Sequence, residues 1–304
     1  MNLYKSLIFI LYLGIFLGSG FRTPAQSRDS ITLYGTLDTV QVIRQRIQHA
    51  NEANAGARVT HISPAILQAN KTRSLAELLT DHTSIYIKSL GTGALSTASF
   101  RGTSASQTRV NWNGINITPP LSGTFDFSQI PVFFTDNINL YYGSSHVKNG
   151  TGAIGGSVNL FTDTDWNRGV NGRVLAEYGS YNTYTVGGQA NISGNKSASK
   201  TRLYYQHSDN DYTYLNKVLT NTPFREKRQD AAYSQFGIMQ EGYFRVSPYT
   251  RLTAVAWYQK NHRNLPQPLG VVNRSQEDQE ENNFRGYAGL DFSRGIHELH
   301  VKAA

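Results

Sequence analysis

Phe100-Arg101-Gly102-Thr103-Ser104-Ala105-Ser106, Trp112-Asn113-Gly114-Ile115 and Gly150-Thr151-Gly152-Ala153-Ile154-Gly155-Gly156-Ser157-Val158-Asn159-Leu160 punctuate the stretch from Ser99 to Leu160. Glycines stand at the corners between short β-type runs, where a chain needs a positive φ or a close approach of two backbones. Upstream, Val59-Thr60-His61-Ile62 reads as a strand. Ser63-Pro64 then opens a helix, with serine as N-cap and proline at the first helical position. Ser74 and Glu77 fit a capping box, and Leu75, Leu78 and Leu79 share one helical face. Ile85-Tyr86-Ile87-Lys88 returns to strand. The order of strand, helix, helix, strand and glycine-rich loop predicts a compact α+β unit.

After Trp166 the pattern changes to strict alternation. Tyr184, Val186, Gly188, Ala190 and Ile192 fall on one face, and Thr185, Gly187, Gln189, Asn191 and Ser193 on the other. Phe284, Gly286, Ala288, Leu290 and Phe292 repeat the theme. A period of two with one apolar face fits strands of a membrane barrel, and it fits equally a water-soluble sheet with one wet face. Strands are expected near 170–178, 182–193, 200–211, 231–246, 250–262, 283–293 and 297–302. The links 194–199, 247–249 and 294–296 are short, whereas 212–230 and 261–282 are long and polar; the first link on the long-loop side, Gly179-Ser180-Tyr181, is a short exception. Outer-membrane barrels have short links on the periplasmic side and long loops outside.

The chain has 304 residues, no Cys and a formal charge of +8. The missing cysteines exclude a disulfide scaffold and thiolate metal sites. The Lys and Arg residues are scattered, and the densest group, Arg225, Lys227 and Arg228, is interleaved with Glu226 and Asp230. That spacing describes a solvated loop, so no nucleic-acid partner is expected. The 8 His are dispersed without metal-ligand spacing, and neither a Gly-x-Ser-x-Gly elbow nor a Walker-type loop occurs. No enzyme, metal or cofactor is expected. Lys5, the apolar run Leu7 to Leu17 and Ala25-Gln26-Ser27 read as a secretory signal over residues 1–27. The apolar run is too short to span a bilayer as a helix.

The stretch from Ser99 to Leu160 resembles the plug domain of TonB-dependent outer-membrane transporters, a domain that blocks the lumen of a large β-barrel. Residues 101–106, together with Leu121-Ser122-Gly123 and Phe125 to Pro131, look most like the cobalamin-receptor branch. The resemblance implies an α+β plug domain followed by antiparallel transmembrane β-barrel strands. It divides the chain into a signal peptide (1–27), an extended N-terminal segment (28–57), a plug (58–166) and the first barrel strands (167–304). The expected strands are too few to close a barrel around a domain of that size, so the reading expects an N-terminal part of a larger barrel.

The family's location is the outer membrane of a Gram-negative cell, in contact with its lipid. Its function is active transport of a scarce nutrient, here a cobalamin or a ferric siderophore. Its partner is a TonB-type energy-transducing protein, which would pair by strand addition with Leu37, Asp38, Thr39, Val40, Gln41 and Val42. Two plug loops are expected to face the ligand, one carrying Gly91, Thr92, Gly93 and Ser96, the other Pro119, Leu121, Ser122, Thr124 and Phe125. Arg101, Gly102, Gly114, Gly150, Gly155, Gly156 and Asn159 are expected to form scaffold and lock, Arg101 as a buried cation that needs a partner on the barrel wall. Asn139 and Tyr142 stand where the family places an acidic residue and an arginine, Ser144 where it places a proline, and Asn113 where it places an aspartate. The alternative reading is a surface receptor that binds without transporting, or a decayed transporter.

Overall fold

The computed structural model describes residues 58–143, 153–218, 222–269 and 276–304. These fall in one compact unit, Asn51–Ala304. The signal segment 1–27, the TonB-pairing candidate Leu37 to Val42 and Gly150 lie outside the described residues.

The plug opens with β1 (Arg58–His61), α1 (Pro64–Ala69) and α2 (Leu75–His82). Ser63 caps α1 by accepting from the Ile66 N–H at 3.3 Å. Ser74 and Glu77 close the capping box on α2: the Ser74 N–H donates to Glu77 Oε2 at 2.8 Å, and the Glu77 N–H donates back to Ser74 Oγ. Each cap satisfies amide donors that the first helical turn leaves without partners. Leu75, Leu78 and Leu79 are fully buried on the inner face of α2. Burying each is worth about 1.5–3 kcal/mol.

The strands β2 (Tyr86–Ser89) and β3 (Ser96–Ser99) pair as a hairpin. The strands β4 (Thr108–Trp112), β5 (Ile115–Asn116), β6 (Asn137–Tyr142) and β7 (Gly156–Phe161) join β1 in a five-stranded sheet of order β1-β6-β7-β4-β5. Among its described pairings, only that of β4 with β7 is parallel. Val110, Ile138, Leu140, Val158 and Leu160 of this sheet are buried with the helix leucines in one core.

A second sheet has seven strands, β8 (Gly169–Gly179), β9 (Thr183–Ser193), β10 (Ser197–Ser208), β13 (Tyr233–Ser247), β14 (Thr250–Asn264), β15 (Asp278–Arg294) and β16 (His297–Ala303), ordered β16-β15-β14-β13-β10-β9-β8. Every pairing in it is antiparallel. These are the strands expected from the alternation, with bounds moved by a few residues. The segment read as a plain polar loop after β10 holds a further hairpin, β11 (Thr213–Asn216) with β12 (Phe224–Lys227). There Glu226 Oε2 accepts from both Tyr214 Oη at 3.0 Å and Asn216 Nδ2 at 2.9 Å.

The two faces of the large sheet are inverted relative to a water-soluble one. On β13, Gln235, Glu241 and Tyr243 are buried, while Ile238, Phe244 and Val246 of the opposite face are exposed. On β10, Lys200, Arg202 and Tyr204 are buried and Leu203 and Tyr205 exposed. On β14, Gln259 and Asn261 are buried and Leu252 exposed. A sheet in water turns its apolar side chains inward, whereas a barrel wall turns them outward to lipid and keeps polar groups in the lumen. This inversion decides between the two readings that periodicity alone leaves open.

Candidate functional site

The plug rests on the polar face of the wall, and the wall supplies the donors. Tyr204 Oη donates to Thr72 O at 3.0 Å, Asn210 Nδ2 to Thr92 O at 3.0 Å, Gln235 Nε2 to Ser128 O at 2.9 Å and Gln259 Nε2 to Gln129 O at 3.2 Å. Lys302 Nζ donates to Asn113 O at 2.6 Å. Each acceptor is a plug carbonyl in a turn, a loop or a single-turn helix, where no sheet ladder or long helix takes it. Wall side chains therefore complete the hydrogen bonding of irregular plug backbone, which would otherwise be buried without partners.

Charge adds a second set of contacts. Asp136, just before β6, pairs with Arg202 and with Lys200, the latter at 3.0 Å. Lys200 also donates to Asp163 O, and Arg202 Nη1 to Phe133 O at 3.3 Å. Arg202 lies 3.3 Å from Glu241, and neither side chain has exposed surface. Burial alone would raise the Asp136 carboxyl, but Arg202, Lys200 and Lys71 outweigh it and hold the group well below the usual carboxylate range. Burial lowers the Lys71 ammonium to about 8, against an upward pull from Asp136. Lys71 Nζ donates to Thr135 O at 2.5 Å, which closes the cluster on the plug side.

Aromatic rings seat the plug between these polar contacts. Trp112 of β4 packs on Trp257 of β14 with centroids 5.2 Å apart, and its other neighbour is Tyr287 at 5.5 Å. Phe134 meets Trp257 at 5.3 Å and Tyr204 at 6.1 Å. The Phe134 ring also occupies the space beside Gly237, where an added β-carbon would stand 2.6 Å from Phe134 Cζ.

The first expected ligand-facing loop lies at the long-loop end of the wall. Gly91 and Thr92 are exposed, and Gly93, with φ +70°, lies against the Tyr233 ring. Ser96 is buried; its N–H donates to Asp126 Oδ1 at 3.0 Å and its hydroxyl to Ser89 Oγ at 3.0 Å. In the second loop Pro119, Leu121 and Ser122 are exposed and Thr124 is half-buried. Phe125 is buried, edge-on to Phe127 at 5.1 Å, so its ring is part of the plug core. Asp126 joins both loops to the wall: Oδ1 also accepts from the Ser128 N–H, and Oδ2 accepts from Arg263 Nη1 at 2.8 Å.

Among the scaffold residues, Gly155 and Gly156 are places of close approach. A β-carbon would meet Thr103 Oγ1 at 2.2 Å in the first case and Tyr141 O at 2.5 Å in the second. Asn159 is buried and accepts from Asn111 Nδ2 at 2.9 Å, while its own Nδ2 donates to Ser157 Oγ. Gly102 and Gly114 sit in turns with φ of +79° and +83°. Arg101 is not buried against the seven described wall strands. It is exposed, its φ of 49° turns the chain sharply after β3, and its guanidinium lies 6.0 Å from the Tyr142 ring. Ion pairs with the wall run through Asp126, to Arg263, and through Asp136, to Lys200 and Arg202, with the cations on the wall. A reading phase-locked to the inward face would have found the second, because Lys200 and Arg202 are two residues apart on one face of β10.

Two adjoining cavities lie between plug and wall at the long-loop end. One, of about 220 Å³, lies between α2, the loop 91–93 and the wall residues Gln206, Tyr233 and Gln235. The other, of about 10 Å³, shares Gly93, Ser128, Tyr233 and Gln235 with it and reaches Asn261, Gln279 and Glu281.

An α+β domain docked on the polar face of an outward-apolar antiparallel sheet has the architecture of a plugged β-barrel, of which this chain holds part of the wall. Residues 51–157 match the family described as TonB-dependent Receptor Plug Domain, and the chain carries the plug domain of a TonB-dependent receptor. Vitamin B12 transporter BtuB of Photobacterium profundum is 32% identical over 135 residues, 44% of this chain and 22% of the relative. The ferripyoverdine receptor of the outer membrane of Pseudomonas aeruginosa superposes with a TM-score of 0.59 at 15% identity, over 77% of this chain and 32% of the receptor. The ferric enterobactin receptor PfeA of Pseudomonas aeruginosa gives 0.60 at 13% identity, over 84% and 41%. The match thus spans about a fifth of the curated relative's length and about a third or more of the receptor chains.

Proposed function

We propose that this receptor imports a large, scarce nutrient across the outer membrane, with a cobalamin as the first candidate and a ferric siderophore as the second. The observation that carries the reading is the inverted wall: its outward apolar face suits lipid, and its inward polar face holds the plug. Ligand binds at the exposed rim formed by Gly91, Thr92, Pro119, Leu121 and Ser122 and by the long wall loops. A TonB-type protein pairs with residues 37–42 and pulls, and the plug shifts to open a path. The wall-to-plug contacts suit such movement, because side-chain donors on loop carbonyls can be exchanged for water at modest net cost.

The test is uptake of radiolabelled cyanocobalamin and of ferric siderophores by cells carrying the full-length receptor or a variant lacking residues 37–42. Saturable uptake that the deletion abolishes, with surface binding retained, supports the proposal. Binding without uptake in the intact receptor would instead favour the non-transporting reading. Neither binding nor uptake of any of these ligands would sink it.

A further inference from the structure

The strongest unexplained group on the wall is Asn261. It lies on β14 and is 8% exposed, and neither its Oδ1 nor its Nδ2 has a hydrogen-bond partner. Its neighbours in the small cavity are occupied. Gln235 is bonded to Ser128 O, Arg263 holds Asp126 and Gln279 Oε1, and Gln279 Nε2 donates to Glu281 Oε1 at 2.5 Å. A buried amide left unpaired costs about 1–3 kcal/mol, and a native structure that retains one calls for a reason.

We propose that Asn261 is a specificity-determining residue that reads a neutral carboxamide on the ligand. The amide offers one donor edge and one acceptor edge in a plane, and a second carboxamide complements both. A carboxylate has only acceptors and would leave Asn261 Oδ1 unpaired. The adjoining cavity of about 220 Å³ is smaller than the ~300 Å³ and upward of a whole drug-sized ligand site. Asn261 lines the smaller cavity and not this one, so this one is the entry for a substituent of a larger molecule whose body stays at the rim, and the smaller cavity must widen for the substituent to meet the amide. Gly93, pressed on Tyr233 between the cavities, makes the loop 91–93 the element that must move aside. The inference rests on the import reading for the identity of that larger molecule, and the site's chemistry is tested separately from it.

Saturation-transfer NMR on the purified full-length receptor, with propionamide and propionate as probes, tests the chemistry directly. Propionamide is expected to give a signal that falls at least fivefold in Asn261→Leu, and propionate to give none. In parallel, Asn261→Leu is expected to raise the urea midpoint, because it removes an unpaired amide without altering the fold. Equal signals from the two probes, no propionamide signal in the wild type, or a lowered midpoint would overturn the inference and leave the import reading standing. A propionamide signal that depends on Asn261, in a receptor that neither binds nor takes up any of the nutrients tested, would sink the import reading alone.

Discussion

Arg202 of the wall reaches Asp136 of the plug with a guanidinium that has no exposed surface. Removing one member of a buried ion pair strands the other, at a cost of about 3–5 kcal/mol. Asp136→Asn leaves Lys200 and Arg202 facing each other with Glu241 as the remaining acid. The expected result is a lower urea midpoint and faster protease cleavage of the plug. Replacing the cluster together with its second acid, as Asp136→Leu with Lys200→Met, Arg202→Met and Glu241→Gln, is expected to recover much of the loss, because no buried carboxylate is left without its cation. A single variant as stable as the wild type would show that the pair does not hold the plug.

The contact between Phe134 and Gly237 is steric. An alanine at 237 would place its β-carbon 2.6 Å from the ring, far inside van der Waals contact. Overpacking of this kind costs about 1–3 kcal/mol. Gly237→Ala is expected to lower the unfolding midpoint, and Phe134→Leu in the same chain to restore part of it. If the two substitutions are simply additive, the ring and the glycine do not meet.

The sequence shows the strands and helix caps well because they depend on local chemistry: Ser74 with Glu77, Ser63 with Pro64, and the alternation of 183–193. The wall's inward face is legible only as polarity, since a period of two does not tell lumen from water. What identifies it is contact over long sequence distance, such as Gln235 with Ser128 and Arg263 with Asp126. Asp136 escapes notice for the same reason: its partners lie at 200 and 202, and nothing near it in sequence marks it.

Lys71 makes the stability depend on pH. Its ammonium is lowered from 10.5 to about 8 in the folded chain by burial. Between those values the unfolded chain binds more protons at this site than the folded one, so stability rises with pH. The slope is expected between pH 8 and about 9.5, below the range where ordinary tyrosines ionise. Comparing unfolding midpoints of wild type and Lys71→Met across that window isolates it. The difference between the two proteins should change steadily with pH, and a constant difference would exclude Lys71 as its source.

Trp112 and Trp257 give an optical report of plug seating. Both are 1% exposed, one on the plug and one on the wall, with ring centroids 5.2 Å apart. The third tryptophan, Trp166, lies under the Arg245 guanidinium at 3.8 Å, away from that pair. With Trp166→Phe, and with any tryptophan outside residues 1–304 also replaced by Phe, emission comes from the plug–wall contact alone. It is expected to be blue-shifted in the intact receptor. If the plug leaves the wall before the wall unfolds, the emission should move to the red at a urea concentration where strand circular dichroism is still native. Asp136→Asn should bring that first step to lower urea while leaving the second in place. Coincident fluorescence and dichroism transitions in both proteins would show instead that plug and wall unfold as one cooperative unit.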